Sequence, residues 1–151
     1  KYDKRAFYGW NTILRLADDY PDLKILVVGR VSEIGPHPPN IIPLGYVDDI
    51  KKVFSQVKVL IRLTYHDSLS RFVLEALATG RYVLHTQPIP HTYLIRDYDD
   101  AKKALNTIRD KSQPNLSGFR YVQQEYAAEK VSKLFLQEFQ ITKDKREHSL
   151  A

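Results

Sequence analysis

Short apolar runs alternate along the chain with segments in which apolar residues recur every three or four positions. The first run, at residues 24–29, is apolar almost throughout, as in a strand covered on both faces. Strands are predicted at residues 24–29, 41–47, 57–63 and 82–86. Helices are predicted at residues 4–20, over a short segment that ends at residue 54, at 71–79 and around 101–108. A long last helix is predicted after the loop at 112–118. This alternation is typical of an α/β protein with a mostly parallel sheet and helices on both faces.

Turn and cap residues delimit these elements. Pro21 stops the first helix, and Pro43 places the second strand near a sheet edge. Asp48 is predicted to cap the short second helix, which ends at residue 54, and Gly80 fits the left-handed position that ends the helix at 71–79. We expect one domain over residues 1–142 and a polar tail over 143–151.

Composition narrows the class of protein. The 151 residues suit one domain, and the absence of cysteine excludes a disulfide scaffold, a thiolate metal site and a cysteine nucleophile. Neither a membrane-spanning run nor a secretory leader is visible, so the expected compartment is the cytoplasm. Because the chain has no methionine and begins with lysine, we expect a piece of a longer protein or a processed start.

Charge and missing motifs exclude several functions. The net charge of +5 comes from bases interleaved with acids, which indicates a mixed surface and not a nucleic-acid-binding stripe, although it suits a small anionic ligand. The chain lacks Gly-x-Gly-x-x-Gly, a P-loop, a Gly-x-Ser-x-Gly elbow and histidines at zinc spacing. No metal site is therefore expected.

One segment, residues 60–84, concentrates candidate chemistry as strand, polar loop, helix and strand. Ligands of open α/β sheets bind outside the carboxyl ends of the strands, where this loop must lie. The helix that follows offers backbone N–H groups to a phosphate, and Ser68 or Ser70 is its N-cap. Glu75 can accept hydrogen bonds from both hydroxyls of a ribose. Taken singly, Asp67, Ser70 and Glu75 equally fit an ordinary turn, a cap and a solvated helix face.

The same segment resembles the nucleotide-sugar signature of the group-1 glycosyltransferases, which are retaining enzymes of the GT-B fold. That signature is Glu-x7-Glu, followed by Ala-x-Ala-x-Gly and a short apolar strand. Asp67 occupies the first acidic position, Glu75 the second, and residues 76–80 continue the pattern. The resemblance also includes residues 23–29, 40–47 and 57–63, and it covers roughly residues 22–95.

The resemblance implies a single Rossmann-like domain, the C-terminal, donor-binding half of a GT-B fold. It implies that Asp67 and Glu75 are the catalytic acids, with Asp67 facing the transferred sugar and Glu75 holding the ribose. Backbone N–H groups from 68 to 72 would bind the diphosphate. The implied substrate-binding residues are Arg30, Tyr46, Val47, Arg62, His66, Ser68, Leu69, Ser70, Arg71, Phe72 and Glu75. For Arg30, a plain surface position stays open, for Arg62 a salt bridge, and for His66 a hydrogen bond within the loop.

The implied reaction moves a sugar from a nucleoside-diphosphate sugar to an acceptor with retention and without a metal or other cofactor. It needs an N-terminal acceptor-binding domain in the same or a partner chain. Attachment to a membrane surface through that domain stays open. Asp67 in place of glutamate, Tyr8-Gly9 in place of Lys-Gly, Ile89-Pro90 in place of Gly-Gly and a glycine-free 68–71 depart from the family. These departures leave two alternatives: a non-catalytic nucleotide(-sugar)-binding or assembly module, and a doubly wound domain for another phosphorylated ligand.

Overall fold

The computed structural model describes residues 4–32, 34–67, 69–128 and 130–132. Strands and helices alternate through these ranges, as the apolar pattern predicts. In chain order the elements are α1 (Lys4–Phe7), α2 (Trp10–Asp19), β1 (Ile25–Val28), β2 (Ile41–Gly45), α3 (Ile50–Phe54), β3 (Val59–Arg62), α4 (Arg71–Ala78), β4 (Tyr82–His85), β5 (Tyr93–Leu94), α5 (Tyr98–Arg109) and α6 (Leu116–Glu125).

Every strand pairing is parallel. The strands form two small sheets, β1–β2 and β3–β4–β5. Ile25 faces Ile41 in the first sheet, and Arg62 faces His85 at the last paired position of β3 and β4. Parallel pairs need crossover connections, and α4 lies in the one that joins β3 to β4. The α/β class and the parallel sheet are therefore confirmed, and the arrangement is consistent with a single Rossmann-like domain.

Helices cover both faces of β3 and β4. Successive strand residues point to opposite faces, and these two strands contribute to two apolar clusters. One cluster joins alternate residues of β1, β3 and β4 to α2 and α5, and contains Ile25, Val27, Val59, Ile61, Tyr82 and Leu84. The other joins Leu60 and Val83 to α3, α4 and α6. Because Val83 and Leu84 are both fully buried, β4 runs through the centre of the core.

The first predicted helix is interrupted, which corrects the prediction of one helix over residues 4–20. Gly9 has a φ of 63°, and a Cβ at this position would lie 2.7 Å from the Cβ of Leu63. Tyr65 also donates its N–H to the Phe7 carbonyl at 2.8 Å. The close approach of the chain to the end of β3 requires a residue without a side chain in a left-handed conformation. The break therefore places the start of α2 beside the loop that follows β3.

Several boundaries also differ from the predictions. Asp49, and not Asp48, caps α3, because its carboxylate accepts from the N–H of Lys51 at 3.0 Å. The strands are shorter at their ends than predicted, and the two-residue β5 was not predicted. The last helix begins within the stretch expected to be a loop, because Asn115 caps it by accepting from the N–H of Gly118.

Other predictions of boundaries are confirmed or lie outside the described ranges. Gly80 has a φ of 72° after α4, as expected for a residue that ends a helix in the left-handed region. Pro43 lies on β2, whose one hydrogen-bonded neighbour among the described strands is β1. The predicted continuation of the last helix beyond residue 132, and the tail at 143–151, lie outside the described residues. No described helix has the length and apolar character needed to cross a membrane.

Candidate functional site

The candidate segment lies at the carboxyl ends of β3 and β4. Arg62 ends β3 and His85 ends β4, and the two are partners in the strand register. The Thr86 hydroxyl donates to the Thr64 carbonyl at 2.5 Å, which ties the first residues of the two following loops together. The α1–α2 turn at Tyr8 and Gly9 flanks the same loop. Polar side chains from both strand ends therefore converge where an open α/β sheet binds its ligands.

Asp67 is the centre of this polar cluster. Its Oδ2 accepts from the Arg62 Nε at 2.6 Å and from the Thr64 hydroxyl at 3.2 Å. The Nε2 of His85 lies 3.6 Å from the same oxygen. The Asp67 side chain is 14% exposed and that of Arg62 is 30% exposed. Arg62 and Thr64 therefore hold one carboxylate oxygen at the rim of the core, and the His85 ring lies just beyond hydrogen-bond distance of it.

The same groups keep Asp67 ionised. Burial by itself raises the pKa of this carboxyl, but the hydrogen bond and positive charge of Arg62, with the Thr64 and His85 contacts, outweigh burial and lower it below the ordinary 3.8. Asp67 is thus a fixed negative charge at neutral pH. A carboxylate oxygen with two donors and a lowered pKa is well oriented and weakly basic, which suits electrostatic stabilisation better than proton abstraction.

Glu75 belongs to a different polar cluster. It lies on α4, where Val73, Ala76 and Leu77 face the core. Its Oε1 is 3.2 Å from the Nε of Arg71, one helical turn earlier, and the two side chains are 36% and 91% exposed respectively. Exposed pairs of this kind contribute about 0–1 kcal/mol to stability. The Glu75 carboxylate is therefore accessible, and its present partner holds it weakly.

The start of α4 has the features of an anion site. Ser70 is its buried N-cap residue, its hydroxyl makes no capping hydrogen bond, and the first turn contains no acidic residue. The first N–H groups of a helix have no intrahelical acceptor and carry partial positive charge. The phenyl ring of Phe72 packs against Phe54 at 5.3 Å and lies 6.0 Å from the guanidinium of Arg62. Leu69 is exposed, and Ser68 lies outside the described residues.

The remaining predicted residues surround the carboxyl ends of the strands. Tyr46 is strongly exposed and Val47 half-buried, immediately after β2. Gly29 donates its N–H to the Gly45 carbonyl at 2.7 Å, so Arg30 and Tyr46 leave the β1–β2 pair side by side. His66 is exposed and its ring contacts that of Tyr65 edge-on at 4.6 Å. The structure thus places two groups of predicted residues, one after β1 and β2 and one from the end of β3 into α4.

His85 is the member of the cluster that sequence reasoning missed. Zinc spacing is the only sequence criterion above that includes His85, and among the described residues no group of three or more His, Asp or Glu could hold a metal ion. The available signal was a polar residue at the end of an otherwise apolar strand, since all four residues of β4 are buried. A ring buried there requires polar partners, and the loop after β4 supplies one, because the N–H of Gln87 donates to Nδ1 at 3.0 Å.

A cavity of about 360 Å³ lies at the opposite end of the strands. It is lined by Tyr82 and Tyr93, the first residues of β4 and β5, together with His91, Lys111 and Ser117. None of the predicted site residues lines it. We place the candidate site at the carboxyl ends because the converging charged groups lie there, and volume alone does not identify a site.

Comparison with known proteins adds no assignment, because no family model and no curated protein matches the chain.

Proposed function

We propose that this chain is the donor-binding domain of a retaining glycosyltransferase, a protein that binds a nucleoside-diphosphate sugar and transfers the sugar. One observation carries the proposal. The two acids of the Asp-x7-Glu motif flank the N-terminus of α4, at the carboxyl ends of parallel strands. Asp67 precedes the helix and Glu75 lies in its second turn, so a ligand at the helix start reaches both.

The diphosphate binds at the start of α4 in this proposal. The free N–H groups there favour an anion, and no acid in the first turn opposes it. Arg71 begins α4 and is almost fully exposed, and Arg62 ends β3 before the loop that leads to α4, so both guanidinium groups come from elements that border this loop. The departing nucleoside diphosphate gains negative charge in the transition state, and these groups stabilise it without a metal ion.

Asp67 and Glu75 then have different roles. The anomeric carbon becomes positively charged as the diphosphate leaves, and the fixed carboxylate of Asp67 stabilises that charge. Glu75 accepts hydrogen bonds from the ribose hydroxyls. Binding requires it to exchange the exposed Arg71 contact for two hydroxyl donors, a favourable exchange because each hydrogen bond to a charged acceptor contributes about 1.5–3 kcal/mol.

A second function, a non-catalytic nucleotide-binding or assembly module, is favoured by one specific observation. The Oδ2 of Asp67 is already held by Arg62 and Thr64. A carboxylate occupied in this way also serves a purely structural role. Tyr8 where the family has lysine and Pro90 where it has glycine point in the same direction.

Turnover in the proposed enzyme needs an acceptor-binding domain that closes over the donor and excludes water. We propose that such a domain, in the same or a partner chain, supplies the acceptor site. The described chain by itself then binds the donor but transfers little sugar, so binding is the appropriate first assay.

The test measures melting temperature and calorimetric binding with UDP, GDP and ADP. One of the three is expected to bind, and at a hundredfold excess over its Kd the gain is about 2.7 kcal/mol. Glu75→Ala should abolish most of this gain. The matched control is Glu125→Ala, which removes an exposed acid paired with Lys130 on α6. Binding that is equal in wild type and Glu75→Ala contradicts the ribose role, and no binding to any of the three contradicts the proposal.

A second assay separates the enzyme from the binding module. A protonated iminosugar resembles the cationic sugar of the transition state, so an enzyme binds it more tightly when the nucleoside diphosphate is present. We expect this cooperation in the wild type and its loss in Asp67→Asn, while the nucleoside diphosphate alone binds both equally well. A module without catalytic function binds the nucleotide and shows no cooperation.

A further inference from the structure

The histidine at the end of β4 is completely buried. Its ring is 0% exposed, and a ring nitrogen without a partner in such a place costs free energy that an apolar residue of similar size would not incur. Among the described residues, Nε2 is a buried nitrogen without a hydrogen bond. It points at the candidate site, because the nearest acid oxygen is Oδ2 of Asp67 at 3.6 Å.

The neighbouring backbone determines which nitrogen carries the proton. The N–H of Gln87 lies 3.0 Å from Nδ1 of His85. A backbone N–H only donates, so Nδ1 must present its lone pair. The neutral ring therefore carries its proton on Nε2, on the side of Asp67. Nδ1 also lies 3.3 Å from the Gln87 carbonyl oxygen. A hydrogen bond to that oxygen would require a proton on Nδ1, the atom to which the N–H of Gln87 already donates.

The distance of 3.6 Å is slightly longer than a hydrogen bond and within the range of an ion pair. Arg62 and Thr64 hold the same oxygen from the β3 side, so His85 approaches it from the neighbouring strand. Contacts of this kind in unliganded sites shorten when the ligand binds. A movement of a few tenths of an ångström makes the Nε2–H a third donor to Asp67.

We propose that His85 is a positioning residue for Asp67: through its Nε2–H it orients the carboxylate that faces the ligand. The orienting contact follows from the geometry alone. Its consequence for cationic-sugar binding rests on the proposed function. Arg62 fixes the charge of Asp67 from one side, and His85 fixes its direction from the other.

Two variants separate the two nitrogens. His85→Asn keeps an oxygen near Nδ1 for the N–H of Gln87 and has no group at Nε2. His85→Gln extends an amide N–H to the position of Nε2 and restores the donor to Asp67. Melting temperature and the amide NMR spectrum verify that each variant is folded. A role in packing alone predicts no selective rescue by Gln.

The first readout is NMR of the side chains and needs no ligand. Nitrogen-15 shifts of His85 should show the proton on Nε2. The carbon-13 titration of the Asp67 carboxyl should show a higher pKa in His85→Asn than in wild type or His85→Gln, because the Nε2–H, 3.6 Å from the charged oxygen, favours the ionised form and is lost. A proton on Nδ1, or one Asp67 pKa in all three proteins, overturns the inference. If His85→Asn does not fold, Asp67→Asn replaces it: unchanged imidazole shifts in that variant overturn the inference.

The second readout uses UDP, GDP or ADP with a protonated iminosugar. His85→Asn should weaken the cooperative binding of the iminosugar about tenfold, as expected for one hydrogen bond to a charged group, and leave the nucleotide alone unaffected. His85→Gln should recover it. Cooperation that is unchanged in His85→Asn overturns the inference and leaves the proposed function standing. Nucleotides that fail to bind the wild type overturn the proposed function, and the NMR result then decides the His85–Asp67 contact separately.

Discussion

The contact between Arg62 and Asp67 should measurably stabilise the fold. The perturbation is a double-mutant cycle of Arg62→Met, which keeps the apolar stem beside Phe72, and Asp67→Asn, which keeps the shape of the side chain. The N–H···O distance is 2.6 Å and the side chains are 30% and 14% exposed. A hydrogen bond between charged groups contributes about 1.5–3 kcal/mol. Because Arg62 is partly solvated, we expect a coupling near the lower end, about 1.5 kcal/mol.

The assay is urea denaturation at pH 7 of the wild type, both single variants and the double variant. Equal m-values in the four proteins are required before the free energies of unfolding are compared. Each single variant should lose more stability than half the loss of the double variant, since each leaves one charge without its partner. A coupling below about 0.5 kcal/mol, typical of an exposed surface pair, refutes the reasoning.

The pH dependence of the free energy of unfolding tests the same contact independently. In the folded protein, burial raises the pKa of the Asp67 carboxyl, but the hydrogen bond and positive charge of Arg62 outweigh burial. The pKa therefore lies below its ordinary 3.8. A depressed acid pKa gives stability that is fully present above the unfolded value and is lost as pH falls through the folded value. The difference between wild type and Arg62→Met should therefore be constant from about pH 5 to 8 and shrink in acid. A difference that grows on acidification contradicts the assignment.

Four further substitutions test the fold. Asn40→Asp should lower the free energy of unfolding in urea by about 3 kcal/mol or more. The Asn40 amide donates to the carbonyls of three residues at 3.0–3.1 Å, and a carboxylate would repel them. A loss under about 1 kcal/mol is inconsistent with this network. Gly9→Ala should cost about 2–3 kcal/mol, because its Cβ would lie 2.7 Å from that of Leu63 at a positive φ; a wild-type melting temperature disproves the close approach. Asp49→Ala should cost about 1 kcal/mol and Asp48→Ala almost nothing, and the reverse order would restore Asp48 as the cap.

The elements of the fold were largely visible in the sequence. The runs of β1, β3 and β4 are apolar at nearly every position, which is typical of parallel strands that are covered on both faces. The period of α5 and the residues at the ends of α4 were equally clear. What failed was local: the break at Gly9, the capping residue of α3 and the start of α6. Each of these depends on which distant or neighbouring atom a backbone group reaches, and hydrophobic periodicity carries no such information.

The candidate site was likewise predictable only in part. Its location followed from the order of strand, loop and helix, because parallel strands end at one edge. The surroundings of each acid did not follow. The sequence separation of Asp67 and Glu75 does not reveal that one is held by Arg62 and Thr64 at the rim of the core and the other by an exposed Arg71. It also concealed His85, which is distant from Asp67 along the chain and adjacent to it only through the β3–β4 register.

The amino-acid order alone determined the α/β class, the parallel strands and the edge at which ligand chemistry concentrates, because those properties depend on local periodicity and on polar residues that follow apolar runs. Only the tertiary structure decided which donors surround Asp67 and that His85 faces it with Nε2. Those contacts arise between residues that strand pairing and helix packing bring together, and their energy depends on distances of a few tenths of an ångström.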